Sequence, residues 1–289
     1  MIIINLKGGV GNQMFQYAFA RKLALQNDDV MKLEVDGLAR ANAVGDIYRD
    51  FALDAFAIDN TIASAAEVRK LKYPYGIVSK GLRWFRAKVL KQTNNGYMPH
   101  ALNQTGDVFL DGYWQSPRYF ADIRDTLLAE FQLRTPLSAA VTSYKEQMSN
   151  STSVSIHVRR GDYAKNPQVK KEFGICEASY YQRAVAHVEQ ALANPTFFIF
   201  SDDIDWVKEH ISLPASAVFV QDPTLRDVEE LSLMSMCAHN IIANSTFSWW
   251  AAWLNQNPDK VVVAPTPWYE TARFDAHLIP SSWIQLPKA

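Results

Sequence analysis

Short apolar runs alternate with helical patterns along this chain, and that alternation restricts the fold more than any other feature. The second half contains apolar runs at 153–158, 196–200, 217–220, 240–243 and 260–264, and helical patterns at 177–193, 204–210, 225–237 and 247–255. Strands that alternate with helices form parallel sheets with helices on both faces. The sequence therefore predicts an α/β fold.

The first half shows the same alternation of apolar runs and helical patterns, but less regularly. Ile2–Leu6 is a predicted buried strand, and Gln13–Leu25 is a predicted helix because its apolar residues recur at helical spacing. Two more strands are predicted at Val30–Asp36 and Val108–Tyr113, and a helix is predicted to begin near Pro117. This half also belongs to the α/β class.

The length of the chain and one polar stretch predict two domains. A chain of 289 residues can form two domains, each with its own core. The polar stretch Met148–Thr152 comes directly before a predicted strand, as linkers do. We therefore expect domains at 1–150 and 151–289, each with a Rossmann-like parallel sheet, facing each other across a ligand cleft.

Composition excludes several classes of function. Hydrophobic residues make up 48% of the chain, which is typical of a globular protein, and a net charge of -1 argues against a general nucleic-acid binder. The two cysteines, Cys176 and Cys237, are too few for a disulfide framework or a zinc site and are compatible with a reducing cytoplasm. The start does not resemble a signal peptide, and no apolar run reaches 18 residues, so no membrane span is expected.

The segment His157–Tyr163 predicts a pocket for an anion. It follows a predicted strand, and parallel sheets bind ligands at the carboxyl ends of their strands. Arginine forks match phosphate oxygens. Strand alternation places His157 and Arg159 on one face and Arg160 on the other, so the first two are the better candidates for the cleft. Asp162 is a candidate base, or a residue that holds Arg159 in place.

A glycine cluster joins the first strand to the first helix. Gly9 and Gly11 allow a ligand to approach the backbone, and the helix start offers free N–H groups. The pattern matches neither the dinucleotide fingerprint nor the P-loop. A tight turn would also explain the glycines, but the adjacent Asn12 and Gln13 favour a ligand loop.

Another strand-to-helix transition contains hydroxyl groups. Ser245 and Thr246 suit a helix N-cap, and the same position places hydroxyls and helix N–H groups where a phosphate would bind. The neighbouring Asn244, Phe247 and Ser248 belong to the same candidate site. Three tryptophans that follow are expected in the core; they are Trp249, Trp250 and Trp253.

Each of two groups of carboxylates can be interpreted in two ways. Glu230, next to Glu229, can accept hydrogen bonds from guanine or can simply be helix N-terminal charge. The acidic run after the strand at 196–200 can hold Mg²⁺ or Mn²⁺ through Asp203 and Asp205, as in metal-dependent sugar transferases. Asp202 and Asp203 also cap a following helix well, and this second interpretation is favoured.

Four ordered motifs together resemble one family. They are Gly-Gly-Val-Gly-Asn-Gln-Met-Phe-Gln-Tyr, His-Val-Arg-Arg-Gly-Asp-Tyr, Phe-Ser-Asp-Asp and Asn-Ser-Thr-Phe-Ser-Trp-Trp. They look like those of the bacterial α-1,2-fucosyltransferases of glycosyltransferase family 11, from Ile3 to about Pro267. The arginine motif is shared by other fucosyltransferases, and the last motif narrows the resemblance.

The resemblance implies an architecture and a reaction. The architecture is the GT-B type, with an acceptor-side domain at 1–150 and a GDP-fucose-binding domain at 151–289. The reaction is transfer of L-fucose from GDP-β-L-fucose to the 2-hydroxyl of a terminal β-galactoside, with inversion and without a metal or other cofactor. A non-catalytic glycan-binding protein of the same fold is the alternative from another class.

The resemblance also implies residue roles. Arg159 would contact the β-phosphate and neutralise the charge that grows on departing GDP, the kind of electrostatic stabilisation that contributes most to catalysis. Glu230 would bind guanine, residues 245–248 would hold the pyrophosphate, and Asn12 with its glycine loop would face the fucose. His157 and Asp162 would complete the donor pocket.

A basic stretch lies outside these motifs. Residues 68–106 contain no aspartate or glutamate, and Lys and Arg recur between 69 and 91 among aromatic residues. A basic aromatic helix can lie on an anionic membrane surface. We therefore expect either a peripheral contact of a cytoplasmic enzyme with the inner face of the cell membrane, near lipid-linked glycan acceptors, or a solvated basic helix.

Overall fold

The computed structural model describes residues 1–41, 50–73, 88–93, 96–135, 137–161, 164, 166–270 and 276–289. Asp162 lies outside the described residues, and so does 74–87 of the basic stretch. The chain forms two compact units. The first comprises Met1–Arg134 with Arg273–Leu278, and the second comprises Thr135–Ala272 with Ile279–Ala289.

The first unit contains a four-stranded parallel sheet in the order β2-β1-β4-β3. Its strands are β1 (Ile2–Asn5), β2 (Met31–Glu34), β3 (Val89–Lys91) and β4 (Val108–Asp111). Its helices are α1 (Val10–Asn27), α2 (Asp36–Ala41), α3 (Ala65–Lys72) and α4 (Arg124–Glu130). The chain passes from β1 to β2 on one side and later returns to β4 on the other. The direction of strand addition therefore reverses between β1 and β4.

The second unit contains a six-stranded parallel sheet in the order β10-β9-β8-β5-β6-β7. Its strands are β5 (Thr152–Val158), β6 (Pro195–Ser201), β7 (Val218–Phe219), β8 (His239–Ile241), β9 (Val262–Thr266) and β10 (Ile284–Pro287). Its helices are α5 (Ala139–Ser149), α6 (Pro167–Phe173), α7 (Ala178–Ala191), α8 (Ile204–His210), α9 (Asp227–Met236) and α10 (Thr246–Leu254). Strands are added on one side up to β7 and then on the other from β8, so the order reverses between β5 and β8.

Burial explains why the central strands form. Ile2, Ile3 and Ile4 are fully buried in β1, and β5 is buried over six of its seven residues. β-Branched and other apolar residues favour strands that are covered on both faces. Trp249, Trp250 and Trp253 are buried, as predicted.

The structure differs from the sequence predictions at several places. Helix α5 lies before the predicted boundary at 150 but belongs to the second unit, because its apolar Val141 and Met148 are buried and it packs against β5 and α9. Two 3₁₀ turns stand where a helix was predicted near Pro117, since Phe120 departs from helical backbone geometry (φ -145°, ψ 8°) and interrupts the helix. Strands β3 and β10 are additional; both alternate between more and less exposed residues at an edge of a sheet.

No helix in the described part of the chain combines the length and the apolar character needed to cross a membrane.

Candidate active site

Three loops of the second unit meet at the carboxyl ends of its central strands. Strands β8, β5 and β6 are neighbours in the sheet, so the segments that follow them, 242–248, 159–161 and 202–203, lie side by side. The strand order reverses between β5 and β8, and open α/β sheets bind ligands at such a reversal. The structure thus brings three of the predicted motifs to one edge.

Arg159 is paired with Asp202 at this edge. The Arg159 Nη1 atom lies 2.9 Å from Asp202 Oδ2, and both side chains are about three-quarters buried, with exposures of 28% and 27%. The backbone N–H groups of Arg160 and Gly161 also donate to the Asp202 carboxylate, at 2.8 and 3.1 Å. Asp202 therefore pairs with Arg159 in the structure. The sequence offered Asp162 either as the base or as the residue that holds Arg159, and Asp162 lies outside the described residues.

Arg160 is held by helix α8. Its Nε atom lies 3.3 Å from Asp203 Oδ2, and its guanidinium carbon lies 3.8 Å from the centre of the Trp206 ring. A cation over a tryptophan face is stabilised by the ring quadrupole. These contacts explain Arg160 as a structural residue, and they leave Arg159 as the stronger candidate for an anion contact.

His157 is buried beside the first turn of α10. Its ring centre lies 5.5 Å from that of Phe247. Burial, with a smaller contribution from Arg159, lowers the pKa of His157 to about 3, so its imidazole is neutral at physiological pH. Its Nδ1 atom is buried and has no hydrogen-bond partner among the described residues. His157 can therefore act as a neutral hydrogen-bonding group and not as a cation.

Asn244 and Ser248, both predicted to bind the donor, form hydrogen bonds with backbone groups of the protein. Asn244 is 2% exposed, and its Nδ2 donates to the carbonyls of Phe173 and Trp268 at 2.8 and 3.3 Å. Ser248 is fully buried, and its hydroxyl donates to the carbonyls of Ala243 and Ser245 within α10 and its approach. Both side chains are buried and donate to backbone carbonyls, and Asn244 Oδ1 accepts from the Cys176 thiol at 3.5 Å.

Ser245 and Thr246 remain candidates for an anion contact. Ser245 is the N-cap residue of α10, but its side chain makes no capping hydrogen bond. Thr246 and Phe247 are half-buried in the first helical turn. The first N–H groups of a helix have no intrahelical partner and favour a negative charge. The N-terminus of α10 thus presents donors at the same edge as Arg159.

The two adjacent glutamates of α9 have different environments. Glu229 Oε2 accepts the backbone N–H of Arg226 at 3.1 Å and its Nε at 3.3 Å, so Glu229 stabilises the start of the helix. Glu230 makes none of these contacts. Burial, with the charges of Asp227 and Asp202, raises the pKa of Glu230 to about 7. Perturbed carboxyl groups of this kind are typical of functional sites.

Asp203 serves as a helix cap, as favoured from the sequence. Its Oδ1 accepts the backbone N–H of Trp206 at 3.4 Å at the start of α8, and its other oxygen pairs with Arg160. Asp205 is exposed in the first turn of the same helix. Within the described residues, no cluster of three or more His, Cys, Asp or Glu forms a candidate metal site.

The glycine loop of the first unit is held by two glutamines. Gly8 has a positive φ of 78°, and a Cβ there would lie 2.5 Å from Asn12 Nδ2. Gln13, predicted to bind the donor, is fully buried and donates to the carbonyls of Gly8 and Asp50, so it holds the loop in place. Gln16 similarly bonds both backbone groups of Lys7.

Gly9 and Gly11 have no left-handed backbone. Gly9 is the N-cap of α1 with φ -68°, and Gly11 is buried in the first turn. Asn12 is half-buried in the same turn, and its Oδ1 accepts a hydrogen bond from Gln115 Nε2 at 2.7 Å. Asn12 is therefore the loop side chain best placed to contact a ligand.

A charged pair that sequence reasoning missed lies at the strand reversal of the first sheet. Lys7 Nζ donates to Asp111 Oδ1 at 3.0 Å, and Asn5 Nδ2 donates to the same oxygen at 3.2 Å. Burial would raise the pKa of Asp111, but the hydrogen bonds from Lys7 and Asn5 hold it below its usual value. Lys7 also lies 4.9 Å from the centre of the Tyr113 ring. The predicted strand Val108–Tyr113 contains Asp111 near its carboxyl end, and a carboxylate at that place was the available signal.

Comparisons with known proteins agree on one family. The model of glycosyl transferase family 11 matches residues 1–286. The α-1,2-colitosyltransferase of Escherichia coli is 31% identical, over 100% of this chain and 99% of its own length. The galactoside 2-α-L-fucosyltransferase Sec1 of Mus musculus is 24% identical, over 88% of this chain and 64% of its own length.

A solved structure shares the fold. The crystal structure of NodZ α-1,6-fucosyltransferase soaked with GDP-fucose superimposes with a TM-score of 0.52, at 15% identity, and the match covers 88% of this chain and 92% of that chain. At this level of identity the likeness concerns the fold alone.

Proposed function

Because this chain belongs to glycosyl transferase family 11, we propose that it transfers L-fucose from GDP-β-L-fucose to the 2-hydroxyl of a terminal β-galactoside, with inversion. The family match makes the chain a glycosyltransferase of the fucosyltransferase type. The donor, the acceptor and the linkage are the proposed part. Names of relatives support them: one acts on galactosides, and another forms an α-1,2 linkage.

The observation that most supports a nucleotide-sugar donor is the arrangement around Arg159. A guanidinium and the free N–H groups of α10 lie at the same edge of the sheet, next to the strand reversal. The guanidinium and the helix N-terminus both favour the negative charge of a diphosphate. We assign the diphosphate to Arg159, Ser245 and Thr246, and guanine to Glu230, whose ionised carboxyl accepts from the N1 and amino groups of the base.

The bond changes follow from this assignment. The acceptor 2-hydroxyl oxygen forms a bond to C1 of the fucose, and the bond from C1 to the β-phosphate oxygen breaks. The electron pair of that bond leaves with GDP, and Arg159 stabilises the charge that develops there. A base must take the hydroxyl proton. Asp162 is our candidate for that base, and no metal ion is required in this scheme.

Product analysis tests the proposal directly. The protein is incubated with GDP-fucose and a panel of β-galactosides, with and without EDTA, and the linkage of each product is determined. We expect an α-1,2-fucosylated galactoside in both conditions. Absence of product with every galactoside would contradict the proposed acceptor, and loss of activity with EDTA would favour a metal-dependent transferase.

A second donor is favoured by one specific observation. The relative with 31% identity over the whole chain is named a colitosyltransferase. Colitose is L-fucose without its 3-hydroxyl group, so the two donors differ by one hydrogen-bonding group. The ratio of kcat/KM for GDP-fucose and GDP-colitose decides between them. A site with a hydrogen-bond partner for that hydroxyl discriminates strongly against the donor that lacks it.

We propose a cytoplasmic location with a peripheral membrane contact through residues 69–91, which would bring the enzyme to lipid-linked glycans. Among the described cations of this stretch, Lys72 lies 4.0 Å from the centre of the Phe109 ring and Lys88 lies 3.8 Å from Asp107. Lys88 is still 55% exposed. Co-sedimentation with anionic liposomes at low salt tests the contact, and the absence of binding would reject it.

A further inference from the structure

We propose that Asp202 is a positioning residue that holds Arg159 in the orientation needed to stabilise the leaving diphosphate. This inference rests on the proposed function, since it assigns Arg159 to that diphosphate. Asp202 itself contacts neither substrate in the proposal. It acts through the guanidinium and through the loop that follows β5.

Three donors converge on the Asp202 carboxylate. Oδ1 accepts the backbone N–H of Arg160 at 2.8 Å, and Oδ2 accepts that of Gly161 at 3.1 Å. Oδ2 also lies 2.9 Å from Arg159 Nη1. Both oxygens are therefore used, and one carboxylate holds the guanidinium and the backbone that bears it. Charge-assisted bonds of this kind are stronger than neutral ones.

The absence of a side chain at Gly161 permits this contact. A Cβ at position 161 would lie 2.6 Å from Asp202 Oδ2 and 3.3 Å from its Cγ. Such a distance is far below van der Waals contact, so any other residue would displace the carboxylate. The glycine of the arginine motif is thus explained by the approach of Asp202.

The parallel register of β5 and β6 pairs the two arginines with the two aspartates. Val158 is in register with Ser201, so the next two residues of each strand leave the sheet side by side. Arg159 then meets Asp202, and Arg160 meets Asp203. The second pair is tied to the start of α8 and to the Trp206 ring. The adjacent carboxylates therefore have different roles.

This arrangement also limits which amides can bind the donor. The N–H groups of Arg160 and Gly161 already donate to Asp202. Within the part of the chain that the structure describes, the first turn of α10 offers backbone donors to a diphosphate at this edge. Pre-oriented groups stabilise a transition state without reorganising during the reaction, and misplacement by about 1 Å can cost a factor of about 10² in rate.

A double-mutant cycle tests the proposal, with the neighbouring aspartate as the matched control. We expect Asp202→Asn to lower kcat by about tenfold or more, with a smaller change in donor KM, because it disturbs a group that acts in the transition state. In an Arg159→Ala background the same change should cost less than about threefold, because the positioned group is gone. Asp203→Asn should lower the melting temperature but keep kcat within about threefold in either background.

Equal losses from Asp202→Asn in both backgrounds would overturn the proposal, since a purely structural residue acts independently of Arg159. A normal kcat in the single variant would also overturn it. If Asp202→Asn does not fold, Gly161→Ala provides the second route, because its methyl group displaces the carboxylate while both charged residues remain. We expect it to reproduce the loss in kcat.

The same cycle is measured for GDP binding by calorimetry, which separates this inference from the proposed reaction. Coupling between Asp202 and Arg159 in GDP affinity, without sugar transfer, would reject the proposed substrate and keep the positioning role. Transfer activity without coupling in either measurement would reject the positioning role and keep the reaction.

Discussion

At the scale of single residues, adjacent side chains of the same chemical type differ in their contacts because their surroundings differ. Arg159 and Arg160 are adjacent in sequence, yet the first lies at the strand reversal and the second is stacked on Trp206. Glu229 accepts a hydrogen bond from the backbone N–H of Arg226 at the start of α9. Glu230 lacks that hydrogen bond and has a raised pKa. Each pair contains one structural and one candidate functional side chain.

Removal of the Arg159 guanidinium should reduce turnover more than any other single change at this edge. We expect Arg159→Ala to lower kcat by about 10²-fold or more, because a stabiliser of leaving-group charge is lost. Initial rates with GDP-fucose and a β-galactoside measure the effect. Near-normal turnover would contradict the role given to this residue.

Donor affinity should depend on the ionisation of Glu230. Its pKa of about 7 means that the carboxyl is largely protonated at pH 6 and ionised at pH 8. Because only the ionised form accepts both guanine hydrogen bonds, GDP should bind about tenfold more weakly at pH 6 than at pH 8. Calorimetry over this range checks it.

The variant Glu230→Gln serves as the control for that pH dependence, because GDP itself also titrates. We expect this variant to bind more weakly at pH 8 and to lose the part of the pH dependence that comes from the protein. An identical pH profile in the two proteins would rule out Glu230 as the guanine contact.

The same carboxyl should destabilise the fold at alkaline pH. Its pKa is raised from 4.5 in the unfolded chain to about 7 in the folded one, so folded stability falls as pH rises through this window and the deficit is complete above it. Glu230→Gln removes the deficit, and we expect its melting temperature to exceed the wild type by about 2–4 °C at pH 8. Thermal melts at pH 5 and pH 8 should show the gain only at the higher pH.

At the scale of elements, the start of α10 combines structural and functional side chains. Asn244 binds three backbone carbonyls, at Phe173, Gly174 and Trp268, whereas Ser245 makes no capping bond. A buried polar partner of this kind contributes to stability, and a free hydroxyl at a helix start is available to an anion.

Two alanine variants should therefore have opposite effects. Asn244→Ala is expected to lower the free energy of unfolding by about 1–3 kcal/mol, because buried carbonyls lose their donors. Ser245→Ala should leave stability within about 0.5 kcal/mol but raise the KM for the donor. Denaturant unfolding and initial rates distinguish the two, and a reversed pattern would show that the roles are exchanged.

The ends of β1 and β4 form the corresponding element of the first unit. The sequence predicts an acceptor-side role for the first unit, and under that prediction Lys7 and Asp111 would offer a donor and an acceptor to sugar hydroxyls beside Tyr113. Asp111→Asn should raise the acceptor KM by about tenfold, as expected for the loss of a charge-assisted hydrogen bond. Donor KM should change little.

Asp122→Asn is the matched control for this variant. Asp122 pairs with Lys22 in the same unit, on an exposed part of the surface. We expect normal kinetics for it, since exposed ion pairs contribute little. Equal acceptor KM values for the Asp111 and Asp122 variants would exclude Lys7–Asp111 as an acceptor contact.

At the scale of the whole molecule, strand–helix alternation was enough to predict two parallel sheets. It succeeded because buried strands and amphipathic helices differ in the period of their apolar residues. The domain boundary at 150 was predicted from a polar stretch. In the structure, however, helix α5 associates with the second unit through buried Val141 and Met148. A polar stretch marks a loop, but packing decides to which unit the helix before it belongs.

The sequence by itself determined the fold class, the family and the motifs of the candidate site. Tertiary structure decided which residues of those motifs are free to act. Asn244, Ser248 and Gln13 lie in the predicted motifs, but all three are buried and donate to backbone carbonyls of the protein. The pairing of Arg159 with Asp202 joins residues 43 positions apart, and it exists because β5 and β6 run parallel in one register. Local sequence patterns show the spacing of apolar residues, which indicates strands and helices. Only the assembled sheet brings the ends of distant strands together.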